Sequence, residues 1–441
     1  MRERLLRRLF PLVASAGLIV VGMLTTTWGP SLINRSQWAL PYDYWGTLVA
    51  ATRLAHGQLG GIYAQPTGLV SLPGTAVILV PVAVVASLLG LSLHLPGASN
   101  PHPAVWLLAG PYEIALCCVA LFAADALAEH LGVTWWKRGL LAVAEATALW
   151  SPSARWGHPE DAVATGLLLY AVLALAKGRQ PAAGWLAGAA VCVQPLVLLA
   201  LPMMIAVMPP RRMLPSAASP GATPPRTTSI PPVIGFLIRA ALPSAVLLTA
   251  AGIANWSVMD AAVTSQPNSP AINHATAWTA LAPHLAGGNV AAGPFRLATI
   301  IVSCCLALVV RRRLGGRVAA AGQWPLDVLN EVLWWMALAL ALRSFFEPVM
   351  VSYYPWPPLA VALIPAATGG WIRLVVAGII AGGVTAEGQG TWHSVWAWWV
   401  PLVALLLAFL GVARGDWRLG APAAPAGPAA ESRAELGGGV V

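Results

Sequence analysis

An all-α, polytopic transmembrane helical bundle is the fold class this sequence predicts, and three observations carry it. Hydrophobic residues make up 58% of the chain and charged residues only 9%, against about 25% charged in an ordinary soluble domain. The apolar residues fall in long Leu-, Ala- and Val-rich runs without strand-like alternation, so each run satisfies its own backbone in lipid as a helix. The basic residues stand at the ends of those runs: Arg2, Arg4, Arg7 and Arg8; Lys137 and Arg138; Lys177 and Arg179; Arg211 and Arg212; Arg311 to Arg313; Arg414 and Arg418. This is the positive-inside pattern. The formal net charge of +9 is thereby assigned to membrane orientation and anionic lipid. Nucleic-acid binding is set aside, since no basic groove interleaved with aromatics occurs.

In chain order, apolar runs lie near 9–29, 68–92, 105–128, 138–151, 160–176, 183–208, 233–253, 296–310, 328–343, 350–367, 372–386 and 394–413. They predict about eleven to thirteen membrane helices, several too short for a perpendicular span. The first, behind a basic n-region, reads as a retained signal anchor, because no clear small-x-small cleavage site follows it. The run 183–208 predicts two short helices meeting at Gln194-Pro195, where proline removes a helical hydrogen bond and disfavours helix before it. An inside N-terminus conflicts with a cytoplasmic Lys137-Arg138 turn under simple alternation. A hairpin or re-entrant pair at 68–92, interrupted by Pro73 and Pro81, is therefore expected.

Four stretches follow: 1–208 as a transmembrane module, 209–231 as a flexible cytoplasmic linker, 232–414 as C-terminal helices with outer loops, and 415–441 as a disordered cytoplasmic tail. The five cysteines, Cys117, Cys118, Cys192, Cys304 and Cys305, sit in apolar runs with no CxxC and no His at ligand spacing. They read as small packing residues.

Between Glu3 and Glu113 the only acid is Asp43, in Tyr42-Asp43-Tyr44-Trp45. A carboxylate at the mouth of a membrane span is a candidate for chemistry. The residues after it place Trp45, Leu48, Val49 and Thr52 on one face, as in a helix lying along the interface, with Arg53 near its polar side. Shielding by Tyr42, Tyr44 and Trp45 is expected to raise the basicity of Asp43; the competing reading is a helix cap. A second cluster, Arg155-Trp156-Gly157-His158-Pro159-Glu160-Asp161, opens a helix. Acids in a first turn suit the dipole, but capping leaves Arg155, Trp156 and His158 unexplained. Glu347 and Tyr353 lie on a broken aromatic edge, where Glu347 either positions a polar substrate or pairs with Arg343 at (i, i+4). His393, amid Trp392, Trp396, Trp398 and Trp399, reads as part of an interfacial belt. Asp125 and Glu129, and Asp327 and Glu331, lie near basic turns, which leaves Glu113 and Glu145 as the intramembrane acids a proton-coupled transporter would use.

These segments resemble the GT-C superfamily of membrane glycosyltransferases, especially the DUF2029 or GT87-like polyprenyl-phosphate-mannose-dependent mannosyltransferases, over roughly residues 9–210. The similarity lies in a first span, an outer loop with an aspartate matched by Asp43, a juxtamembrane helix ending in Gly57-Gln58-Leu59-Gly60-Gly61-Ile62-Tyr63, and the Ala/Gly-rich stretch Ala183 to Val191. Relatives often carry Gly-Gln-x-Asn where this chain has Gly157-His158-Pro159-Glu160, a lysine at Gln194, and a His-containing segment at Tyr353-Tyr354-Pro355.

The resemblance implies a multi-pass plasma-membrane enzyme with its active site outside. It would move a sugar, mannose in that family, with inversion from a polyprenyl-phosphate donor to a glycolipid or cell-envelope glycan acceptor. Asp43 would be the general base, with Arg53, Arg155 and His158 as phosphate or sugar contacts and no cofactor or metal required. Glu160, Asp161, Glu347 and Tyr353 complete the expected substrate-binding set. A transporter or flippase for a lipid-linked or small polar solute is the alternative, and an inactive scaffold a third reading.

Overall fold

In a computed structural model the chain is an all-α bundle. It describes residues 7–28, 42–64, 69, 72–93, 104–208, 231–271, 273–321, 324–390 and 394–414. The linker at 209–231, save Pro231, the tail at 415–441 and His393 lie outside the described residues. Seven helices are long and apolar enough to cross a membrane, and five apolar helices are shorter. The sequence suggested about eleven to thirteen.

The first helix, α1, is Leu9–Trp28, and the interfacial segment expected behind Asp43 is α2, Tyr42–Ala55. The stretch expected to fold as a hairpin is instead one helix, α3, Gly74–Leu88. Pro73 occupies its N-cap and Pro81 sits inside it without ending it. Proline at a helix start forfeits nothing, because that N–H has no intrahelical acceptor. Both ends of α3 meet the same end of the bundle. Thr75 Oγ1 near its start donates to Val193 O, and Leu93 O beyond its finish accepts from the indole of Trp45.

Helices α4 (Val105–Cys117) and α5 (Val119–His130) form one continuous apolar stretch, followed by α6 (Trp135–Leu149), α7 (Pro159–Ala176) and α8 (Gln180–Val193). The break expected at Gln194-Pro195 is present: Gln194 is extended, a 3-10 turn spans Pro195–Leu199, and α9 (Leu201–Ala206) follows. Then come α10 (Pro232–Asp260), α11 (Gly293–Ala321), α12 (Leu326–Phe346), α13 (Trp356–Thr368), α14 (Trp371–Gly388) and α15 (Val395–Arg414).

Helix α11 runs through Arg311 to Arg313, where the sequence suggested a turn. Arginine is a good helix former, and Arg317, farther along, pairs with Asp327 and Glu331 of α12. Among the described residues three two-residue strands lie between α10 and α11, and a fourth follows α12. β1 (Pro267–Asn268) pairs with β3 (Val290–Ala291), and β2 (His274–Ala275) pairs with β4 (Val349–Met350), both antiparallel.

Of the seven long helices, α7 and α12 are the most enclosed, while α10 and α11 turn most of their surface outward. One apolar cluster joins Val172 of α7, Val332 of α12 and Val361 of α13, so the stretches before and after the linker share a core. Cys117, Cys118 and Cys192 are buried as expected of packing residues, but Cys304 and Cys305 are exposed on the outward face of α11.

Candidate functional site

A polar cavity lies where the first turn of α7, the break after α8 and the end of α12 converge. The chain reaches it from α6 through a π-helical turn, Ser151–Arg155. Gly157 then turns the backbone with φ +67°, a left-handed conformation that a side chain rarely tolerates. His158 follows, its N–H donating to Pro152 O at 2.7 Å. Pro159 starts α7, with Glu160 and Asp161 in the first turn, where the exposed N–H groups favour negative charge.

The histidine ring joins two carboxylates. His158 Nε2 is 2.9 Å from Asp43 Oδ2, and Nδ1 is 2.6 Å from Glu160 Oε1. The imidazolium is the form that donates from both nitrogens. The ring also stacks on Tyr353, with centroids 3.9 Å apart. Burial works against the charge on His158, but Glu160 and Asp43 outweigh it and lift its pKa well above the ordinary imidazole value.

Asp43 keeps a side chain that is 56% exposed. Crowding by the surrounding protein disfavours its charge, yet the hydrogen bond and positive charge of His158 prevail and lower its pKa. The sequence suggested that aromatic shielding would raise its basicity. The opposite holds, because the dominant neighbour is a cation 115 residues away in the chain.

The cavity has a volume of about 100 Å³. Leu72, Pro195 and Val263 form an apolar side; His158, Glu160 and Gln194 line one polar wall, and Arg296, Arg343 and Gln266 line another with Tyr353 and Tyr354. Gln194 donates through Nε2 to Asp161 Oδ1 at 2.7 Å. The second oxygen of Asp161 is buried without a hydrogen-bond partner among the described residues.

The Arg296 wall is held from outside by the loop between α10 and α11. Thr276 Oγ1 donates to Glu347 O at 2.8 Å, and Trp278 Nε1 to Phe345 O at 2.7 Å. These bonds and the β2–β4 pairing fix the chain just after α12, where Glu347 is 1% exposed.

Of the residues singled out in the sequence, Asp43, His158, Glu160 and Tyr353 come together, Asp161 supports Gln194, and Glu347 lies behind the arginine wall. Arg53 and Arg155 do not join them. Arg53 Nη1 donates to Gly61 O at 2.6 Å and Ala64 O at 3.2 Å, closing the turn after α2. Arg155 Nε donates to Gln389 Oε1 at 2.7 Å, tying the π turn to the end of α14.

The cations on the cavity are instead Arg343, read in the sequence only as an (i, i+4) partner, and Arg296, which was missed. Arg296 had one usable signal. It sits in the first turn of a long apolar helix, where the dipole disfavours a cation.

Among the described residues no group of His, Cys, Asp and Glu has the arrangement of a metal site. No protein-family model matches this chain, and no curated protein matches it either. Composition and seven described helices long and apolar enough to cross a membrane point to a helical membrane protein, and its cavity has an anionic, histidine-bridged side and a cationic side.

Proposed function

We propose that this chain is a multi-pass plasma-membrane glycosyltransferase with a GT-C-like fold. It moves a sugar, mannose being the first choice, from a polyprenyl-phosphate donor to a lipid-linked or cell-envelope glycan acceptor at the outer face. The observation that carries the reading is that His158, on the wall of a cavity that also holds two arginines, bridges Asp43 to Glu160.

In the proposed reaction the Asp43 carboxylate accepts the proton of the acceptor hydroxyl. That oxygen bonds to the anomeric carbon from the face opposite the phosphate, the carbon–oxygen bond to phosphate breaks, and polyprenyl phosphate leaves with its charge near the arginines. Oδ1 of Asp43 has no hydrogen-bond partner among the described residues, so it is open to the acceptor while Oδ2 holds His158. Tyr353, Tyr354 and the apolar side offer surfaces for the sugar face and the first isoprene units.

Incubating purified protein with radiolabelled polyprenyl-phosphate-mannose and a glycolipid acceptor fraction tests this. Wild type is expected to transfer label and Asp43→Asn to lose it; transfer that survives the substitution removes Asp43 as the base.

A proton-coupled transporter or flippase is the second reading, supported by Glu113 and Glu145. Each is buried and has a carboxylate oxygen without a hydrogen-bond partner among the described residues. Proton-dependent solute uptake into proteoliposomes, abolished by Glu113→Gln, would favour it over transfer.

A further inference from the structure

Arg343 is bonded unlike the other buried cation of the bundle. Its side chain is 9% exposed, and its Nε has no hydrogen-bond partner among the described residues. The guanidinium lies 3.4 Å over the ring of Tyr354, with Glu347 Oε2 at 3.5 Å from Nε. Arg138, by contrast, places two donors on Asp125 at 2.7 Å each. A buried guanidinium kept only to hold the fold is expected to fill its donors. Arg343 lines the cavity with them unfilled.

Arg296 completes the wall. Its Nε and Nη2 donate to Glu347 Oε1 at 2.9 and 2.6 Å, and Nη1 donates to the side-chain oxygen of Gln266. Gln266 is itself held in a left-handed conformation, φ +44°, that a non-glycine residue adopts at a cost. Its amide donates to Val263 O at 2.8 Å. One carboxylate therefore faces two guanidinium groups, and the wall keeps one net positive charge.

We propose that Arg343 and Arg296 form an anion subsite whose strength is set by Glu347, and that its ligand is a compact oxyanion such as a phosphate ester. The identity of that ester as a lipid-linked sugar phosphate rests on the function proposed above; the subsite requires only the anion. Glu347 touches both arginines and not the cavity, so it is a positioning residue. It orients Arg296 and tempers the field that holds the ligand. A weakened field also lets a phosphate product leave.

Binding of three probes to the full-length protein in detergent tests this by calorimetry: farnesyl phosphate, inorganic phosphate and farnesol. Glu347→Gln keeps a side-chain oxygen for Arg296 but removes the charge, so it is expected to tighten farnesyl phosphate about tenfold and leave farnesol unchanged. Arg343→Met is expected to weaken farnesyl phosphate by a similar factor. The inference is overturned if folded Glu347→Gln binds farnesyl phosphate no tighter than wild type, or if farnesol follows farnesyl phosphate through the variants. Should Glu347→Gln fail to fold, Arg343→Met decides alone, and unchanged binding there overturns the subsite.

The arms separate this inference from the function it deepens. If inorganic phosphate binds as tightly as farnesyl phosphate and responds to Glu347→Gln, the subsite stands and the lipid-linked donor falls.

Discussion

Two charged clusters stand at opposite ends of the bundle, and they are built on different rules. At the end where α5 meets α6, Asp125 accepts from Arg8 and twice from Arg138, while Glu129 pairs with Arg7 and Arg8 at 3.0 and 2.8 Å. The buried oxygens of Asp125 are both engaged, and the network ties α1, α5 and α6 together. Around the cavity, and among the described residues, Asp43 keeps an oxygen open, Arg343 Nε has no hydrogen-bond partner, and Asp161 has an oxygen without one. A charge taken out of water is tolerated when its donors and acceptors are filled. Valences left open in a folded chain mark where a ligand completes them.

The comparison is broken most severely at Asp43. Asp43→Asn keeps the shape of the side chain and removes the base, so transfer is expected to fall about a thousandfold, equivalent to roughly 4 kcal/mol of barrier. The thermal unfolding midpoint should stay near wild type. Initial rates measured beside unfolding curves give the answer, and equal losses in both would place Asp43 with the structural cluster.

Asp125→Asn reverses the pattern. It leaves Arg138, whose side chain is 10% exposed, facing an uncharged partner, and loss of one member of such a pair costs about 3 kcal/mol or more. The folded fraction recovered in detergent should drop sharply, while the rate per folded molecule stays within about twofold of wild type. A folded but inactive Asp125→Asn would show that the two ends are coupled.

A smaller effect separates the ends by pH. His158 binds its proton more tightly in the folded chain than an ordinary imidazole, whose pKa is 6.5. Its stabilising contribution is therefore complete below about pH 6.5 and is lost as pH rises through the raised folded value. Asp43 contributes fully above about pH 4 and loses its contribution as pH falls through its lowered value. Activity should be level from about pH 4 to above 7 and decline on the alkaline side as His158 deprotonates. In His158→Gln that alkaline limb should vanish, with a rate about tenfold or more below wild type.

How much of this was legible in the sequence follows from how far apart the partners lie. Asp43 was legible because a lone acid beside an apolar run is conspicuous, and Glu160 with Asp161 because Pro159 announces a helix start. The Gln194-Pro195 break was legible for the same local reason. The bridge from His158 to Asp43 joins residues 115 apart, and that from Arg296 to Glu347 residues 51 apart; no helical or strand period connects such positions. Arg343 was read through its (i, i+4) neighbour alone, which hid the cavity on its other side. The conflict over the Lys137-Arg138 turn pointed to the stretch 68–92, where α3 is a single helix and composition suggested a hairpin.

The smallest expected effect is the sharpest check on the cationic side of the comparison. Arg53 lies at the far end of the helix whose first turn holds Asp43, and Arg343 on the cavity wall; sequence position alone favours Arg53. Arg53 bonds two backbone carbonyls, a task for which a lysine ammonium, with three donors on a stem of similar length, is an adequate substitute. Arg343 lies over the Tyr354 ring on the cavity wall, and lysine reproduces neither the planar guanidinium nor its forked donors. Arg53→Lys should change the transfer rate by less than about threefold, whereas Arg343→Lys should lower it about tenfold or more, chiefly through weaker binding of the donor phosphate. Steady-state KM and kcat for both variants decide it. Equal losses would mean that the phosphate meets Arg53, and that the cationic wall at Arg343 is part of the scaffold.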